Sequence, residues 1–289
     1  MKLSLHVPTP LEYFGALVRS DRDFPLLEAT TCIAHDEYPE LDVESVLAGV
    51  DRLVQRLQRQ IPTDAGPMER LRRLNDFFFS QLGFAGNVNH YMDAENSYIH
   101  VVLERRRGIP VSLAVIWLEL ARALALHAHG VSFPGHFLVK VGLPQGWVVL
   151  DPLTGRSLGM DELAGLLRAW RQTESAGRNA ASFDPPVGLH LQNALPREII
   201  GRMLDNLREL HRTFDEPVLL RAVLDRVLLL RPDDLGALRE RGVLHAREGR
   251  VDAALRDLET YLRRVPRAVD APAIGELVLE LRARHGGTA

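Results

Sequence analysis

The 289-residue chain has one cysteine, Cys32, and only two lysines, Lys2 and Lys140, among its 35 basic residues. A single cysteine closes no intramolecular disulfide and builds no cysteine-rich zinc site, which excludes an oxidised extracellular scaffold. Long uninterrupted apolar runs are also missing. The most apolar stretch, Ile109 to Leu126, carries Glu119 and Arg122 and reads as a buried helix instead of a membrane span. Met1 to Pro10 lacks the apolar core of a secretory signal, so the cytoplasm is the expected location. Neither sign of charge dominates: 35 Lys and Arg against 38 Asp and Glu give a net charge of −3. Such a balance exerts no global pull on phosphate backbones or anionic lipid, so neither nucleic acid nor membrane is an expected partner. What is present, 46% hydrophobic and 25% charged residues, fits a globular protein with a true core.

Helical periodicity covers Leu11 to about Leu82, with breaks at Pro39 and across Pro62 to Pro67, and predicts two or three short helices. A Gly- and Asn-rich loop, Gly83 to Asn96, follows. Ser97 to Arg107 reads as a helix ending at Gly108, and Pro110 stands where a fixed φ suits the first turn of a helix over Val111 to Leu126. The period then changes to two. Phe137, Val139 and Val141, the Leu143-Pro144-Gln145-Gly146 turn and Trp147 to Leu150 predict a hairpin. Gln172 to Pro196 has linker composition, and beyond it everything is helical. The expected division is a helical subdomain over 1–82, a core over 83–190 and a helical region over 191–289.

Pro232 and Pro266 stand 34 residues apart, the period of a tetratricopeptide repeat. Gly242, Gly249 and Ala254 fill the small positions between them, and Leu238, Val251 and Leu258 the apolar ones. Gly242 and Ala254 are expected where two helices approach closely. One register upstream, Leu204, Leu207, Leu220, Leu224 and Val227 keep the apolar pattern, with His211 at the aromatic position and a break near Asp215 to Pro217. Two repeats are too few for a free solenoid, so they need a closing helix over Ala273 to Arg284 or the N-terminal part to cover them. They serve either as a brace or as a peptide-binding groove.

Within the hairpin, period-two alternation puts His136 and Asp151 on one face. A histidine oriented by a carboxylate, after a helix whose first turn offers Ser112, has the components of a nucleophilic triad: Ser112, His136 and Asp151. Two roles stay open for Ser112, nucleophile or helix cap, and two for the His136–Asp151 pair, catalytic or only fixing the hairpin. Asn96 and Tyr98 bracket the loop before the helix and are candidate cleft-lining residues. His127 and His129 form a His-x-His pair read as solvated loop; no metal and no cofactor is expected.

The run Arg107 to Ala114, with Arg122-Ala123-Leu124, Gly135-His136-Phe137 and Leu150-Asp151-Pro152, resembles the transglutaminase-like core, a papain-related cysteine fold. Together with Glu37-Tyr38-Pro39, Asn96-Ser97-Tyr98, Phe133 to Phe137 and the tetratricopeptide-like tail, it is similar to the bacterial SirB-type family over roughly residues 10 to 270. The resemblance implies an α+β protein with a helical N-terminal part, a transglutaminase-like core bearing a small antiparallel sheet, and tetratricopeptide-like helices. It also places Pro110 where active members carry the cysteine nucleophile. Ser112 is about 200° further round the helix and is no direct replacement. The expectation is a non-catalytic binding or regulatory module with a protein or peptide partner in the cleft or on the repeats. The alternative is a hydrolase or acyltransferase acting on amide or ester bonds through Ser112, His136 and Asp151.

Overall fold

The computed structural model describes residues 7–21, 24–87, 89–174 and 186–286. They fall into two compact units: Ser20–Asn206, and the segment up to Arg19 together with Leu207 onward. Composition marks a boundary near 190, whereas packing divides the chain at 206 and groups the first helix with the last ones.

That first helix is α1 (Pro10–Leu17). The larger unit runs through α2 (Leu26–Thr31), α3 (Val43–Gln58), α4 (Pro67–Asn75) with a π-helical turn after it (Asp76–Gln81), β1 (Ala85–Gly86), a 3-10 turn (Ala94–Ser97), α5 (Ile99–Arg105), β2 (Arg107–Gly108), α6 (Pro110–Ala123), β3 (His127–Val131), β4 (Leu138–Leu143), β5 (Gly146–Leu150) and α7 (Met160–Glu174). The chain continues through α8 (Pro196–Thr213), α9 (Pro217–Leu230), α10 (Leu235–Arg247), α11 (Val251–Arg264) and α12 (Ala271–Gly286). The architecture is α+β: helices dominate, β3, β4 and β5 form an antiparallel sheet in that order, and β1 and β2 make a short parallel pair. No described helix is long and apolar enough to cross a membrane.

In the larger unit α6 is the central element. Ten of its 14 residues are buried, and an all-round apolar helix of that kind must be enclosed on every side. Helices α2 to α5 and strands β3 and β4 enclose it. The Trp117 indole N–H, unable to reach water, donates to Asn75 Oδ1 at 3.0 Å. Cys32 is fully buried beside α2, a small apolar filler.

Leu143 pairs with Gly146 and Val139 with Leu150, so Pro144-Gln145 is a two-residue loop. Four expectations need correction. The helix before α6 ends at Arg105, because Arg106 (φ 58°) takes the left-handed capping position, its guanidinium lying over the Phe84 ring; Gly108 belongs to β2. His127 and His129 are not loop: they lie in β3, a strand whose polar residues hid its period. The N-terminal region holds four α-helices where two or three were expected, and α7 replaces the start of the linker. Residues 175–185 of that linker lie outside the described residues.

In the smaller unit, a Cβ on Gly242 would stand 2.7 Å from the Leu258 side chain, so α10 and α11 approach as closely as the repeat spacing requires. Ala254, Leu258 and Tyr261 of α11 pack against Ile274, Val278 and Leu281, which makes α12 the closing helix. The upstream break falls between Thr213 and Pro217, and His211, 1% exposed, uses Nδ1 to meet Glu216 at 2.7 Å.

Candidate functional site

Helix α6 starts from Ile109 in an extended conformation, with Pro110 as its first residue and no side-chain cap. Proline has no N–H to lose at this position, and its ring fixes φ for helix entry. Ser112, fully buried, donates its hydroxyl proton to Asn96 O at 2.6 Å and also lies 3.0 Å from Ile109 O. It therefore caps nothing as an acceptor, contrary to the capping expectation; as a donor it ties the first turn to the preceding loop. Its backbone partner Asn96 is equally committed. Asn96 O also accepts from Ile109 N at 3.2 Å, its side-chain amide donates to His90 O and Tyr91 O at 2.7 and 3.3 Å, and its Oδ1 accepts from Asn87 at 2.9 Å. Gly108 is required here, since a Cβ would come within 2.7 Å of Ser112 Oγ.

His136 follows a turn with Pro134 and Gly135 in its central positions, closed by His136 N–H to Phe133 O at 3.0 Å. Gly135 has φ 69° and abuts Trp170, so both its conformation and its missing side chain are used. The turn delivers His136 Nε2 to Asp151 Oδ1 at 3.1 Å, with the two side chains 19% and 18% exposed. Asp151 also accepts from Leu153 N–H at 3.0 Å and the Thr154 hydroxyl at 3.1 Å. Burial pushes its carboxyl up, but His136, Leu153 and Thr154 together outweigh this and hold it below the ordinary carboxylate range. In the tautomer whose Nε2–H donates to Asp151, Nδ1 is left with its lone pair and no hydrogen-bond partner among the described residues. The fold thus joins His136 to Asp151, while the Ser112 hydroxyl is directed at main-chain carbonyls.

Tyr98 is 2% exposed, and its hydroxyl donates to Glu37 at 2.7 Å; burial and then that carboxylate push its pKa up. Tyr38 donates to Glu95 at 3.1 Å and is pushed up to about 12 by burial and then by Glu95. His100 lies edge-on to Tyr38, ring centroids 4.5 Å apart, with burial lowering its pKa. Tyr98 therefore belongs to a polar clamp between the Glu37–Tyr38 segment and α5. Glu95 and His100 of that clamp went unread, and Glu37 was read only as part of a family motif, because their partners Tyr38 and Tyr98 are about 60 residues away in sequence. No group of three or more metal-ligating side chains assembles among the described residues.

A family model described as transglutaminase-like superfamily matches residues 44–205, more than half of the chain, and one for the tetratricopeptide repeat matches 207–278. The chain belongs to the transglutaminase-like superfamily. Within it, this transglutaminase-like protein is 36% identical over 247 residues to a UPF0162 protein of Xylella fastidiosa, covering 85% of this chain and 86% of that one. It is 26% identical over 256 residues to Protein SirB1 of Salmonella typhimurium, covering 86% and 91%. Among solved structures, menin, whose crystal structure is titled as revealing the binding site for Mixed Lineage Leukemia (MLL) protein, aligns at 15% identity with a TM-score of 0.40, covering 93% of this chain and 68% of that one. A score that low carries no argument. The matched family segment contains α6, the hairpin and both His136 and Asp151.

Proposed function

We propose that this transglutaminase-like protein is a cytoplasmic, non-catalytic binding or regulatory module, with Pro110 at the position of the lost cysteine nucleophile and a protein or peptide as partner. The observation that carries this is the state of Ser112: buried, with its one hydroxyl proton held by Asn96 O at 2.6 Å. His136 and Asp151 then act as an inherited pair that holds the mouth of the hairpin. In this reading 83–190 is the relic core, Asn96 and Pro110 shape its cleft, Tyr98 braces it, and the repeats of 191–289 supply partner-binding surface, as tetratricopeptide repeats generally do.

One observation favours a second reading. The His136–Asp151 pair keeps the geometry of a base and its orienting acid, which a hydrolase or acyltransferase using Ser112 would need. A fluorophosphonate probe separates the two. The purified chain is expected to take up no more label than its Ser112→Ala variant; labelling that disappears in Ser112→Ala and His136→Ala would overturn the non-catalytic reading.

A further inference from the structure

Lys140 is the only lysine among the described residues, in a chain whose other basic residues, Lys2 apart, are all arginine. It stands on β4, the middle strand of the sheet. Leu138, Lys140 and Val149 share the face that α7 covers with Leu163 and Leu167, since Lys140 pairs with Val149 and side chains two apart on a strand lie together. Where α7 begins, a pocket of about 590 Å³ opens over this face, a size suited to a small molecule. Its apolar lining includes Trp147, Val149, Met160 and Leu163, and Trp147 and Met160 are 56% and 57% exposed.

Lys140 is the only charged residue lining the pocket, and its ammonium is short of partners. One N–H donates to Leu191 O at 2.6 Å, and Nζ lies 4.7 Å from the centre of the Trp147 ring, which leaves two donors over. No carboxylate among the described residues pairs with it, and burial lowers its pKa with no acidic neighbour to offset this. Glu162, in the first turn of α7, is engaged by the Gly159 N–H and Arg156. His129, which faces Lys140 from β3, is driven towards its neutral form by burial and then by Lys140. Arg221 and Arg241, also half-buried, are by contrast matched by Glu248 at 3.1 Å and Asp257 at 2.7 Å. Holding an ammonium partly out of water against one neutral carbonyl and a ring face is costly unless an anion completes the set. A single ammonium, with no arginine fork beside it, matches one negative charge and not a phosphate, and the apolar lining requires an apolar body next to that charge.

We propose that this pocket binds a small organic acid, an aryl or alkyl monocarboxylate, with its carboxylate on Lys140 and its apolar body against Trp147 and Met160. The site uses none of Ser112, His136 and Asp151, nor the repeats, so it stands whichever reading of those holds.

The two lysines of the chain make the test direct. The full chain, carrying carbon-13 at the lysine Cε atoms, is titrated with hydrocinnamate and followed by NMR, with Lys2 as the internal control. Hydrocinnamate is expected to shift the Lys140 signal and raise its titration midpoint, because a carboxylate favours the charged ammonium, and to leave the Lys2 signal in place. Affinity should fall about tenfold for hydrocinnamamide, which lacks the charge, for acetate, which lacks the body, and in Lys140→Gln and the rim variant Met160→Glu. The amide and acetate leave the protein untouched, so they serve even if Lys140→Gln, which also loses the Leu191 contact, fails to fold. Absence of binding, binding that leaves the Lys140 signal unmoved, equal affinity for hydrocinnamamide, or tighter binding of inorganic phosphate would each overturn the proposal. So would tighter binding of the peptide acetyl-Ala-Ala-Phe with a free carboxylate, which would assign the pocket to a chain terminus.

Discussion

The entry of α6 and the mouth of the hairpin contribute to one set of candidate residues, yet they are built on opposite principles. At the helix entry the polar side chains are spent, Ser112 on Asn96 O and the Asn96 amide on two carbonyls, and Gly108 leaves room for the serine. At the hairpin mouth His136 and Asp151 are paired but about one-fifth exposed, with a ring nitrogen left over. The first arrangement converts polar atoms into rigidity, since a buried group without a partner costs roughly 1–3 kcal/mol. The second keeps a polar pair near solvent, where each partner adds little to stability. Residue types suitable for a triad therefore do not imply shared chemistry; how each group is satisfied determines which of them is available to a substrate or partner.

The contrast is broken most directly at Gly108. Gly108→Val drives a side chain into Ser112 and Val102 and is expected to cost about 3 kcal/mol in urea unfolding. A loss below about 1 kcal/mol would mean that the helix entry is not tightly packed. Next come the hydrogen bonds. Asn96→Ala removes the hub of the loop and should cost about 2 kcal/mol, whereas His136→Ala should cost less than about 1 kcal/mol, because its partner stays partly hydrated. If the order reversed, with His136→Ala the more damaging, the hairpin pair would be a stability element and its openness incidental.

The sequence made the large features legible for physical reasons. Val111 to Leu126 is apolar on a helical period, Pro144-Gln145 sits where two alternating runs must turn, and the prolines 34 residues apart fix the repeat. Parity anticipated that His136 and Asp151 share a face, although both lie just outside β4 and β5 and the Pro134-Gly135 turn delivers the histidine. What escaped was whatever depends on distant partners or on polar strands. His127 to Val131 hid as β3 because its outward residues are histidines and its pairing is supplied by β4. The orientation of Ser112 was equally hidden: period places it on the first turn of α6, but only the path of the Gly83 to Asn96 loop puts a carbonyl 2.6 Å from its hydroxyl. Arg106 as a left-handed cap ran against the expectation that glycine takes this role, and Gly108 was needed two residues later for clearance instead.

The smallest effect tests the hairpin side by acid. A carboxyl whose folded pKa lies below its ordinary value of 3.8 contributes stability above that value and loses it as pH falls through the folded pKa. Asp151 is such a group, held down by His136, Leu153 and Thr154 against the opposing push of burial. Between about pH 5 and pH 2 the natural chain should therefore lose stability that Asp151→Asn, which cannot ionise, does not lose. Partial exposure screens the pair, so the difference should stay below about 1 kcal/mol and shrink in high salt. Paired urea titrations across that range measure it. A difference well above that bound would show an Asp151 sealed from water, and the hairpin mouth would then resemble the helix entry, ending the contrast between the two. No difference at all would mean that the His136–Asp151 contact is too loose to orient a base, and the catalytic alternative would lose its remaining support.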